Sequence, residues 1–124
     1  MKKFGLVLTS LLTITNVNAA NLNATVKQDT IYKTICVAGW TGTVRPPVSY
    51  TNRVKRDKLL AIGRKATDMK FYELDHIIPL ALGGATRDKE NLQVQLWPEA
   101  REKDKVEVCL YRAVCRGMIG LDEA

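Results

Sequence analysis

Apolar positions fall into a few short runs whose spacing changes along the chain. In Tyr32-Lys33-Thr34-Ile35-Cys36-Val37, apolar and β-branched residues alternate with polar ones, the period of a short strand. Gly39 to Pro47 cannot continue a helix, because two glycines loosen it and Pro46-Pro47 remove donors and fix φ, so an ordered loop around Trp40 is expected. From Ser49 or Thr51, a capping hydroxyl opens a helix that closes at Gly63. Its apolar face is formed by Val54, Ala61 and one side of the Leu59, Leu60, Ile62 cluster, with Arg53, Lys55, Arg56 and Lys58 outside. Such a basic face is ordinarily solvated; phosphate contact is the functional alternative.

Arg64 to Lys70 reads as a polar connector. Phe71 to Pro79 and Asn91 to Leu96 then carry strand signals, separated by Gly83-Gly84 and the charged run Arg87-Asp88-Lys89-Glu90, which predicts a hairpin with a long loop. Trp97-Pro98-Glu99 has the features of a helix start, proline at the first helical position and acids in the first turn. That helix is expected to run to Arg116 and stop at Gly117, with Val106, Leu110, Ala113 and Val114 as its apolar stripe. Met118, Ile119 and Leu121 of the tail can fold back on the core, whereas Asn21 to Thr30 reads as an extended or loose arm. The class is α+β.

With 124 residues, the chain suits one domain. Met1-Lys2-Lys3, the mostly apolar stretch from Phe4 to Ile14 and the small residues Asn18-Ala19-Ala20 have the layout of a secretory signal peptide, giving a leader over 1–20 and a domain over 21–124. The apolar stretch is shorter than the roughly 20 residues of a membrane span, so no stable membrane insertion is expected after cleavage. The full chain carries a net charge of +6; losing Lys2 and Lys3 leaves 17 basic against 13 acidic residues, a balance of +4. A basic protein of the periplasm or the extracellular space suits an anionic partner, nucleic acid or an envelope polymer, and is expected to act as a monomer.

Export also places Cys36, Cys109 and Cys115 in an oxidising compartment. Cys109 and Cys115 are six apart on a helix and point away from a common face, which leaves Cys36–Cys115 as the preferred bridge and Cys36–Cys109 as the alternative. Closing so long a loop is worth ~4 kcal/mol in the loop-entropy picture.

The densest chemistry lies in Glu73-Leu74-Asp75-His76-Ile77-Ile78-Pro79-Leu80-Ala81-Leu82-Gly83-Gly84, followed by Asn91-Leu92-Gln93. His76 is the one histidine of the chain, and its ordinary pKa of about 6.5 lets it take a proton from water near neutrality. On an extended backbone Asp75 points to the opposite side, which suits a division of labour between cation binding by Asp75 and water activation by His76. There is no second histidine for a paired-imidazole site, no Gly-x-Ser-x-Gly elbow and no phosphate-cradling Walker loop.

The order of strand with Asp-His, long loop, asparagine at the opening of a second strand, then helix resembles the HNH endonuclease superfamily, in particular its small exported branch. The resemblance covers about Cys36 to Gly117 and rests on RPPVSYTN and DHIIPLALGG followed by Asn-Leu. It implies a ββα-metal (HNH, or His-Me finger) core, here with an additional N-terminal helix and a disulfide. It further implies metal-dependent hydrolysis of DNA phosphodiester bonds without sequence specificity, RNA being a further candidate substrate. His76 would be the general base, Asn91 the residue that supports the loop and orients the histidine, and Asp75 a metal ligand.

The chain departs from that pattern at the helix. The superfamily usually places a third metal-binding histidine eight or nine residues after the asparagine, and here Glu99 and Ala100 stand there, with Lys103 and Asp104 one turn on. Glu99 or Asp104 could complete the site as oxygen ligands, with Glu102 a weaker option, and one Mg²⁺ or Mn²⁺ would then be favoured over Zn²⁺. Arg101 and Lys103 near the helix start and Arg87 in the loop are candidates to hold phosphate. Loss of the metal site would leave a nucleic-acid or envelope-polymer binding module, which is the alternative reading.

Overall fold

A computed structural model of the protein describes residues 21–124; the leader expected over 1–20 lies outside the described residues. The architecture is α+β, built on an antiparallel hairpin of β1 (Tyr72–His76) and β2 (Leu92–Leu96). Tyr72 pairs with Leu96, Asp75 with Gln93 and His76 with Leu92. Both expected strands are present, shortened chiefly at the ends that face the loop, and the long loop between them contains two short 3₁₀ turns, Leu80–Leu82 and Lys89–Asn91. Helices α2 (Val48–Ala61) and α3 (Trp97–Cys115) both pack on the hairpin. No helix among the described residues is long and apolar enough to cross a membrane.

Helix α3 starts as expected, with Pro98 in its first turn, and ends before Gly117, whose φ of 72° only glycine adopts at low cost. Helix α2 starts differently. No side chain caps it; the N-cap is Pro47, whose carbonyl accepts from the amides of Tyr50 (3.0 Å) and Thr51 (3.1 Å). Ser49 and Thr51 are inside the first turn, because a backbone already turned by Pro47 supplies the acceptor that a hydroxyl would otherwise provide. Of its expected apolar face, Val54 and Leu59 are buried, while Leu60, Ala61 and Ile62 are exposed.

The strand expected at residues 32–37 is absent. Gln28–Lys33 forms a 3₁₀ helix that continues into turns, with Thr34 Oγ1 donating to Thr30 O (2.8 Å) and Cys36 N to Ile31 O (2.9 Å). The governing period is four rather than two: Ile31 and Ile35, each 1% exposed, face the same core. Residues 21–30 are not a loose arm either. Asn23 N donates to Gly83 O (2.8 Å) and Ala85 N to Asn21 O (2.7 Å), while Val26 enters the core. The expected loop at Gly39–Pro47 contains a five-residue helix, α1 (Trp40–Val44).

Val26, Ile31, Ile35, Leu82 and Val114 form one core cluster, with Trp40, Leu110, Tyr111, Ile119 and Leu121 packed against it. Two expected contributors lie outside: Val106 is 59% exposed and Met118 73%. The stripe of α3 is displaced toward its ends, where Ala100 and Val114 are fully buried, because the middle turns face the hairpin with charged side chains. Cys36 and Cys115 are bonded across 79 residues and close this core, and Cys109 is free and exposed.

Candidate functional site

The loop between the strands is held by one side chain. Asn91 is completely buried and uses its whole amide: Oδ1 accepts from Ile78 N (2.8 Å), and Nδ2 donates to Ile78 O (3.1 Å) and Ala85 O (3.0 Å). Its carbonyl also accepts from Ile77 N at 2.8 Å. Removing the amide would strand three backbone groups, the buried carbonyl of Ala85 and the half-buried amide and carbonyl of Ile78, at about 1–3 kcal/mol for each one left buried and unpaired. Gly84 makes the clasp possible, because a Cβ there would sit 1.8 Å from Ile78 O and 2.9 Å from Asn91 Nδ2.

The clasp fixes the neighbouring carbonyl of Thr86, which lies 3.0 Å from His76 Nε2. A carbonyl oxygen can only accept, so Nε2 carries the proton and Nδ1 is left with its lone pair. His76 is 8% exposed, and burial pushes its pKa below the ordinary value. The Thr86 hydrogen bond and Asp75 oppose that shift; the positive charges of Arg45 and Lys103 add to it. The imidazole is thus neutral and tautomerically fixed near neutral pH, the state a general base requires.

His76 lines a cleft of about 260 Å³ between β1 and the segment leading into α2, together with Arg45, Lys55, Glu73, Asp75 and Trp97. Arg45 is permanently charged and exposed. Lys55 is partly buried, which lowers its pKa against the opposing pull of Glu73. Glu73 is raised, first by burial and then by Asp75, Asp104 and Glu107. Asn52 lines both this cleft and a surface groove of about 460 Å³ that includes Arg53 and Arg56, so the two adjoin at α2.

Asp75 is engaged from two sides. Its Oδ1 accepts from the amide of His76 at 2.8 Å, and Oδ2 is 2.7 Å from Lys103 Nζ, an ion pair although not an aligned hydrogen bond. The ammonium of Lys103 donates to the carboxylate of Glu107 one turn along α3 and to the backbone carbonyl of His76 (2.8 Å). Burial works against the charged lysine, but its contacts with Asp75 and Glu107 outweigh this and hold its pKa above the usual value.

The expected metal ligands do not come together. Glu99 and Asp104 are exposed on α3, and Asp104 reaches the site only through its charge, which raises Glu73 and Glu107. Among the described residues, no group of three or more His, Cys, Asp or Glu side chains is arranged to hold a metal ion. With Asp75 engaged by Lys103, the residues present do not fit a divalent ion in this arrangement.

The candidate phosphate contacts divide. Lys103 is committed to carboxylates, and Arg101 is exposed on α3 away from the cleft lining. Arg87 stacks on Tyr50, its guanidinium 5.0 Å from the ring centre, and its carbonyl accepts from the Tyr50 hydroxyl at 2.6 Å. The sequence pattern gives Glu107 no role, and it places Arg45, Lys55 and Glu73 only within longer segments, with no part of their own at the site. The Lys103–Glu107 spacing of four was a visible signal on a helix, whereas Arg45 and Lys55 reach the cleft through tertiary packing, which no local pattern encodes. No protein-family model, curated protein or solved structure matches the chain, so the site is read from its own geometry.

Proposed function

We propose that the protein is an exported HNH-type hydrolase of nucleic-acid phosphodiester bonds, with a ββα core formed by β1, β2 and the start of α3. The observation that carries this reading is the linked chain Asn91, Ala85–Thr86, His76. A buried amide locks the loop, the loop carbonyl fixes the imidazole tautomer, and the imidazole opens on a cleft that also contains Arg45. His76 Nδ1 accepts a proton from water, and the resulting hydroxide attacks phosphorus. The bond to the departing oxygen breaks, and that oxygen takes its proton from solvent. Arg45 offsets charge on the phosphate, and the basic groove along α2 receives the flanking backbone.

Degradation of plasmid DNA by the purified protein, with Mg²⁺, with Mn²⁺ and with chelator, tests the reading against His76→Ala. Loss of a general base should lower the rate by about 10²- to 10⁴-fold. Equal cutting by both proteins would remove His76 from the chemistry. A second reading is favoured by the commitment of Asp75 to Lys103: a binding module on the same scaffold. It expects retarded DNA in a gel, weakened by salt, with no cleavage under any of the three conditions.

A further inference from the structure

We propose that the Lys103 ammonium is the resident cation of this site, holding the position between Asp75, Glu107 and the His76 carbonyl that a divalent ion would otherwise need. Three oxygens of the kind that bind hard cations converge on its nitrogen: Asp75 Oδ2 at 2.7 Å, His76 O at 2.8 Å and the Glu107 carboxylate. They come from two elements, Asp75 and His76 at the end of β1 and Glu107 one turn beyond Lys103 on α3, so the convergence is a product of the fold and not of one helix face. Lys103 is buried enough that its partners are not exchanged freely with water, its side chain being 20% exposed, Asp75 15% and Glu107 20%.

The electrostatic surroundings agree. Glu73 and Asp104 add further negative charge, and the pKa values of Glu73 and Glu107 are both raised, primarily by burial and then by their carboxylate neighbours. Without a cation at this position, Asp75 and Glu107 would face each other partly desolvated, which is costly. Lys103 therefore has a structural duty at the carbonyl of His76 and an electrostatic one at Asp75. It is a positioning residue, and the inference extends the hydrolase reading without depending on it. One consequence is that a divalent ion and the ammonium exclude one another at this position.

Titration of the purified protein with Ca²⁺ and with Mn²⁺, by calorimetry, tests this directly. The wild type should take up no stoichiometric ion, whereas Lys103→Met, which keeps length and removes charge, should bind one ion per chain at least about tenfold more tightly than wild type. Adding Asp75→Asn to that variant should abolish the gain. Uptake of one ion by the wild type that Asp75→Asn removes, or no gain in a folded Lys103→Met, would overturn the proposal. Should that variant not fold, Mn²⁺ broadening of amide signals in the wild type decides: selective loss at Asp75, His76 and Glu107 overturns it, and uniform weak broadening supports it. Plasmid cutting by His76→Ala is a separate readout, so either reading can fail alone.

Discussion

At the scale of single residues, His76 is informative because the chain has no other histidine. Its protonation can therefore be followed as one imidazole proton signal. The carbonyl of Thr86 dictates the tautomer, and burial, with Arg45 and Lys103 adding to it, depresses the pKa. The sign follows: a general base works deprotonated, and a depressed pKa moves the acidic limb of its profile to lower pH. The NMR titration midpoint of His76 should lie below the ordinary value of about 6.5, and cleavage should already be on its plateau at neutral pH. Arg45→Gln removes a charge that disfavours imidazolium, so it should raise the midpoint. A midpoint at or above the ordinary value in the wild type would contradict the desolvated site. Glu107 shows the converse lesson, because its role depends on Lys103 turning inward, and a charged pair four apart on a helix is usually solvent-exposed.

At the scale of elements, the hairpin and its loop form one unit closed by Asn91 and permitted by Gly84. The φ of Gly84 is not in the left-handed region, so it is required by space and not by conformation. Gly84→Ala would push a methyl into Ile78 O and the Asn91 amide, and should cost about 1–3 kcal/mol, read as a lower urea midpoint with an unchanged slope. Gly42→Ala is the contrasting case. Gly42 lies within α1 with nothing within 4 Å of its would-be Cβ, so alanine there should stabilise by about 0.5–1 kcal/mol. Strands, the start of α3 and the preferred disulfide were legible in the sequence because each rests on local period, a positional proline or helix geometry. The segment around Ile31 and Ile35 was not, since the short window with Thr34, Ile35 and Val37 fits period two as readily as Ile31 and Ile35 fit a turn of period four. Which one forms is decided by Leu82 and Val114 from elsewhere in the chain. Glu99 and Asp104, either of which was expected to join Asp75, are exposed for a similar reason: spacing on α3 does not reveal which turn faces β1, and Lys103 and Glu107 face it.

At the scale of the whole molecule, the bridge between Cys36 and Cys115 ties the first described turns to the end of α3, worth about 4 kcal/mol in the loop-entropy picture for a separation of 79 residues. That frame leaves α2 free to present charge. Its groove, with Arg53 and Arg56, joins the His76 cleft through Asn52, whereas Arg101 and Lys105 on α3 are outside both linings and Lys105 is paired with Glu102. A phosphodiester backbone bound at His76 should therefore extend along α2. Arg56 is held only weakly, by an exposed contact of 3.6 Å with Asp57, and Arg53 sits 6.0 Å from the Tyr50 ring centre, so both can turn toward phosphate at little cost. Each phosphate contact contributes about 0.7–0.9 to the slope of log K against log salt. In a His76→Ala background with chelator, used to keep the oligonucleotide intact, Arg53→Gln with Arg56→Gln should weaken DNA binding and flatten that slope by about 1.4–1.8. Arg101→Gln with Lys105→Gln should leave both nearly unchanged. Fluorescence anisotropy with a labelled oligonucleotide over a salt series measures the two pairs side by side, and a flattened slope only for the α3 pair would move the nucleic-acid path from α2 to α3.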